Sequence, residues 1–127
     1  MKINHIGLYV KDLEAAREFF VKHFSAASSD IYINYRTSFR SYFLSFGNGT
    51  RLELMTRPGL VDTPKDEYRT GYAHLSLSVG SEEAVDEITG KLSEAGYPVL
   101  SGPRVTGDGY YESTVLGFED NILEITV

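Results

Sequence analysis

"NHIGLYV" at residues 4–10 and "AHLSLSV" at residues 73–79 decide the fold, because they are one pattern written twice. Each places a histidine second, a leucine fifth and a valine seventh, and His5 and His74 stand 69 residues apart. Side chains alternate between the two faces of an extended chain. In the first stretch Ile6, Leu8 and Val10 therefore form the core side, and His5, Gly7 and Tyr9 look the other way. In the second, Ala73, Leu75, Leu77 and Val79 face the core, with His74, Ser76 and Ser78 opposite.

The repetition continues downstream of each stretch. Asp12 can cap a helix over "LEAAREFFVKHF", in which Leu13, Ala16, Phe20 and Phe24 recur at helical spacing. Ser81 can cap "EEAVDEITGKLSEA", where Val85, Ile88, Leu92 and Ala95 do the same, and Gly96 and Pro98 end that helix. Three strand-like runs follow each helix: 29–36, 39–46 and 50–57 in the first half, 98–105, 109–117 and 121–127 in the second. "GNG" at 47–49, "TGDG" and "EDN" supply turns. The order strand, helix, strand, strand, strand thus occurs twice, which predicts an α+β protein of two tandem βαβββ modules. Residues 1–57 form the first module, a Pro/Gly-containing linker covers 58–71, and 72–127 form the second.

Near the end of each module stands a Leu-Glu pair among apolar residues, "RLELM" with Glu53 and "ILEITV" with Glu124. Alternation turns Leu52 and Leu54, and likewise Leu123, Ile125 and Val127, toward the core, so both glutamates share the face of the histidines. Tyr9, Met55 and Ile122 lie on that face too, which makes it too apolar to stand wholly in water. If the modules curve and are related by pseudo-symmetry, His5, Glu53, His74 and Glu124 converge. Two imidazoles and two carboxylates suit a divalent ion such as Ni, Zn, Co, Fe or Mn, and such an ion would offset the cost of burying two carboxylates together.

Composition narrows the partners. Twelve basic against eighteen acidic residues give a net charge of −6 with no basic stripe, which opposes nucleic-acid binding. The absence of cysteine excludes disulfides, thiolate ligands and a cysteine nucleophile. No apolar run reaches the roughly 18 residues a membrane span needs, and the N-terminus lacks a signal-peptide core, so a cytoplasmic location and no membrane partner are expected. His23 closes the first helix, where a structural role is expected because a cation there complements the helix dipole.

From "INHIGLYVKDLEAAREFFVKHF" to "GDGYYESTVLGFEDNILEITV", the chain resembles the vicinal oxygen chelate superfamily, which includes glyoxalase I, epimerases of acyl thioesters, extradiol dioxygenases and antibiotic-resistance proteins. The resemblance implies a cupped, barrel-like mixed sheet with helices outside, and one divalent metal ion per site held at His5, Glu53, His74 and Glu124. Glu at the second ligand position is similar to glyoxalase I, implying a lactoylglutathione lyase-like enzyme. Such an enzyme converts a 2-oxoaldehyde thiohemiacetal to a 2-hydroxyacyl thioester through a metal-bound enediolate, with Glu124 taking the proton and Glu53 returning it. Where many bacterial glyoxalase I enzymes hold glutathione with Arg and Asn, this chain has Tyr9 and Arg57. These two, with Met55 and Tyr110, are the expected contacts of a small-molecule substrate or thiol adduct, Arg57 pairing with a carboxylate. A homodimer is expected. The alternatives within the same fold are an epimerase resembling methylmalonyl-CoA epimerase and a metal-free antibiotic-binding protein.

Overall fold

The structure is a computed structural model that describes residues 1–47 and 49–127, so the middle of the expected "GNG" turn, Asn48, lies outside the described residues. The chain divides into two compact units, Met1–Thr63 and Pro64–Val127. In the first, strand β1 (His5–Tyr9) leads to helix α1 (Leu13–Phe24), then β2 (Ala27–Ser28), β3 (Tyr32–Asn34), β4 (Phe39–Ser45) and β5 (Arg51–Thr56). In the second, β6 (Leu75–Ser78) leads to α2 (Glu82–Glu94), β7 (Val99–Val105), β8 (Tyr111–Leu116) and β9 (Ile122–Thr126). The expected α+β class and the repeated strand, helix and strand order are what the chain adopts.

Each unit has a sheet of its own, and the two sheets share one path: the first strand lies beside the last, and the others follow outward. β1 pairs parallel with β5 and β6 parallel with β9, with Gly7 opposite Glu53 and Ser76 opposite Glu124. Antiparallel ladders then join β5 to β4 and β9 to β8.

The helices form where the sequence places their caps. Asp12 accepts the Ala15 amide at 3.0 Å and Ser81 accepts that of Ala84 at 3.2 Å, each satisfying a first-turn donor that has no partner inside the helix. α1 buries Leu13, Ala16, Phe19 and Phe20 and ends at Ser25, a left-handed residue with φ 52°. α2 buries Val85, Thr89 and Leu92. Here the apolar spacing misleads, since Ala95 is exposed and Ile88 half-buried while the polar Thr89 is buried. Thr89 tolerates burial because its hydroxyl donates to the Val85 carbonyl and bonds the Ser113 hydroxyl of β8, both at 2.6 Å.

Two further expectations are revised. Of the strand placed at 29–36 only β3 at 32–34 forms, while β2 lies earlier, at 27–28; between them the Ser29 hydroxyl replaces a backbone carbonyl in accepting the Phe43 amide at 3.0 Å. Val127, assigned to the core side, lies past β9 and is 44% exposed. Among the described residues no helix is long and apolar enough to cross a membrane.

Candidate functional site

In the first unit the strand pairing brings His5 and Glu53 onto one face. β1 and β5 run parallel with His5 opposite Arg51 and Gly7 opposite Glu53, so the two side chains are diagonal neighbours. Their facing atoms, His5 Nε2 and Glu53 Oε2, are 3.6 Å apart, and the glutamate is the more enclosed partner. The second unit repeats this. His74 precedes β6 by one residue, and its Nε2 lies 3.4 Å from Glu124 Oε2. Both separations exceed the usual range for a nitrogen–oxygen hydrogen bond. Among the described residues no three His, Asp or Glu side chains gather to hold a metal, so the donors stand as two pairs, one in each unit.

Around His5 a small network fixes the ring. The Asn4 side-chain oxygen accepts from Arg51 Nη2 at 2.8 Å and lies 2.9 Å from His5 Nδ1. Because arginine can only donate, the atom of Asn4 between them is the oxygen, and Nδ1 of a neutral His5 carries the hydrogen. The lone pair of Nε2 then faces the Glu53 carboxylate. The same guanidinium stacks over the Phe43 ring, 4.4 Å from its centroid, and Phe43 meets the His5 ring edge-on at 5.3 Å. Phe43 reaches this face because β4 places it opposite Glu53.

In the second unit the carboxylate is held instead. Ser76, opposite Glu124, donates its hydroxyl to Glu124 Oε1 at 2.6 Å, leaving Oε2 toward His74.

The donor chemistry fits a divalent cation. Two donors bound at roughly 2.1 Å about a right angle stand roughly 3 Å apart, so each pair needs to close by only a few tenths of an ångström. A hydrogen-bonded Nδ1 is also the usual support of a ligand imidazole.

The expected substrate contacts separate. Tyr9 and Met55 are paired across β1 and β5 and share the face of His5 and Glu53. Arg57 follows β5 and lines an open cleft of about 440 Å³ with Ile33, Tyr35, Arg40 and Thr56. Arg40 and Thr56 pair on the side of the sheet that carries Leu54 and Tyr42, so this cleft is not built on the Glu53 face. Tyr110 sits in the turn before β8, its backbone N–H donating to the Thr106 hydroxyl at 3.1 Å, and is 57% exposed. Its neighbour Tyr111 turns toward α2 and donates to Asp86 at 2.7 Å, a bond that raises the phenol above its ordinary range because Asp86 stabilises the protonated form. Asn4, Phe43 and Ser76 are the contributors that pattern alone misses. Alternation puts Ser76 with His74, yet only the β6–β9 register sets it against Glu124.

Comparison with known proteins adds the following. The model of the Glyoxalase/Bleomycin resistance protein/Dioxygenase superfamily matches residues 2–122. An uncharacterized protein of Bacillus subtilis, YqjT, is 30% identical over 115 residues, covering 86% of this chain and 85% of that protein. The crystal structure of a glyoxalase family protein from Bacillus cereus superposes with a TM-score of 0.85 at 15% identity, covering 99% of this chain and 93% of that one. The trypanothione-dependent glyoxalase I of Leishmania major superposes with a TM-score of 0.74 at 18% identity, covering 99% and 86%.

Proposed function

This chain belongs to the Glyoxalase/Bleomycin resistance protein/Dioxygenase superfamily, and from that premise we propose that it is a divalent-metal-dependent, glyoxalase I-like isomerase. Its metal ligands are His5 and Glu53 of the first unit and His74 and Glu124 of the second. The observation that carries this reading is the recurrence, in each unit, of an imidazole Nε2 set 3.4–3.6 Å from a glutamate Oε2 without a hydrogen bond between them. For a neutral His5, whose hydrogen the Asn4 contact fixes on Nδ1, the Nε2 and carboxylate lone pairs face each other and repel unless a cation lies between them.

The substrate class is a 2-oxoaldehyde thiohemiacetal and the product a 2-hydroxyacyl thioester. When bound, a divalent ion supplies Lewis acidity, which makes a C–H beside a carbonyl acidic enough to lose near neutral pH. The carboxylates of Glu53 and Glu124 move the proton. One takes it from the thiohemiacetal carbon and a proton is returned to the neighbouring carbon, while the hydroxyl proton passes between the two oxygens, so substrate and product are isomers. Tyr9 and Met55, on the face of His5 and Glu53, shield the reacting carbons from water.

The test is metal analysis of protein purified without chelator, followed by assay with methylglyoxal and a panel of thiols at the thioester absorbance. One of Ni, Zn, Co, Fe or Mn is expected to co-purify, and thioester to accumulate with at least one thiol. Folded protein that retains no divalent ion, or that retains one and forms no thioester with any thiol, overturns the reading.

A further inference from the structure

The two units are not equivalent at the donors, and from this we infer that Ser76 is a positioning residue that locks Glu124 as a standing ligand and leaves Glu53 as the carboxylate free to carry the proton. The inference rests on the metal-dependent reading above and deepens it. Gly7 and Ser76 occupy the same place in the two parallel ladders, one opposite Glu53 and the other opposite Glu124. Ser76 donates to Glu124 at 2.6 Å, a distance typical of a hydroxyl bound to a charged acceptor. Gly7 has no side chain to offer. The space above it is taken by Met55, whose Cε would lie 2.7 Å from a Cβ built at residue 7. Among the described residues Glu53 has no hydrogen-bond donor, and its polar neighbour is His5 at 3.6 Å.

The first unit restrains its other donor. Asn4 bonds His5, whereas Ala73, the corresponding residue before His74, has no side-chain group to do so. One unit therefore fixes its imidazole and the other its carboxylate. A proton-carrying group must leave its resting position and return, and Glu124 can do so only by breaking a charge-assisted hydrogen bond. Glu53 breaks none. The role of proton acceptor, which resemblance gives to Glu124, falls by this geometry to Glu53.

Metal-stripped protein titrated with Zn²⁺ against a chelating indicator tests the assignment. Ser76→Ala is expected to weaken zinc binding about tenfold or more, the usual consequence of losing a ligand's supporting bond, with the melting temperature of the metal-free protein unchanged. Ser76→Thr, which keeps the hydroxyl, is expected to restore affinity to within about threefold of the wild type. Glu124→Gln is expected to lose more zinc affinity than Glu53→Gln. Glu53→Gln, loaded at saturating zinc, should lose turnover by about a hundredfold or more, the scale of a removed general base. Wild-type affinity in Ser76→Ala, or a larger loss of affinity in Glu53→Gln than in Glu124→Gln, overturns the inference while the metal-dependent reading stands. A wild-type protein that takes up no zinc or other divalent ion overturns that reading itself.

Discussion

Single residues on the polar face behave according to what holds them, and the third histidine is a useful contrast to His5 and His74. His23 sits in the last turn of α1 with its ring 5.2 Å from that of Phe19. Partial burial, and secondarily the Lys22 charge beside it, hold its imidazole below the ordinary value of 6.5. The dipole at a helix end favours the cation, but here desolvation outweighs it, so packing is the ring's contribution. The sign of the pH effect follows from linkage. With the folded value depressed, the unfolded chain binds the proton more readily, so the contribution is complete above pH 6.5 and drains away as pH falls through the lower folded value. His23→Gln is expected to lose less melting temperature than the wild type between about pH 7 and about pH 5. Melting curves at the two pH values check this, and an equal loss in both proteins would assign the acid sensitivity elsewhere. At this scale, alternation along each strand sets the face of each donor, because a period of two leaves no freedom. It did not give Asn4 or Ser76 their partners. Those bonds depend on which residue of the neighbouring strand lies opposite, a matter of register that no local pattern encodes.

Among the elements, α2 and β8 show where periodicity and packing part company. Apolar spacing selects Val85, Ile88, Leu92 and Ala95, yet the fully covered positions of the helix are Val85, Thr89 and Leu92. A threonine was not legible as core because its burial depends on a partner from another element. Since Thr89 donates to Val85, the Ser113 hydroxyl must donate to Thr89. Thr89→Val therefore strands a buried hydroxyl and is expected to destabilise the protein by about 1–3 kcal/mol. Ser113→Ala leaves Thr89 bonded to Val85 and should cost less. In the double variant no hydroxyl is stranded, so its loss should fall below the sum of the two singles, a coupling that urea denaturation measures directly. Strict additivity would mean that the two hydroxyls do not depend on each other. The helix ends, by contrast, were readable in advance. Asp12 and Ser81 act through backbone groups within a few residues and are the observed N-caps, while Gly96, at φ 93°, follows the C-cap Ala95. The break between β2 and β3 was hidden because Ser29 bonds Phe43, fourteen residues on.

At the scale of the whole molecule, duplication made the fold legible: one strand-helix-strand pattern confirmed by its own copy is harder to misread than a single occurrence. The same duplication sets what a divalent ion should do to stability, because a ligand held by the folded chain and not by the unfolded one stabilises by mass action. Free ion at 100 times its Kd contributes about 2.7 kcal/mol. For a chain of 127 residues this corresponds to a rise in melting temperature on the order of 10 °C. Under the proposed ligand set, calorimetry with and without chelator should show that rise. His5→Ala and His74→Ala should each remove most of it while leaving the chelated protein's melting temperature close to the wild type's, since both side chains are substantially exposed. A chelator-insensitive transition would remove the metal from the account. Loss of the increment in only one of the two variants would leave a single unit responsible for binding, and would make the second His-Glu pair a structural remnant of the repeat.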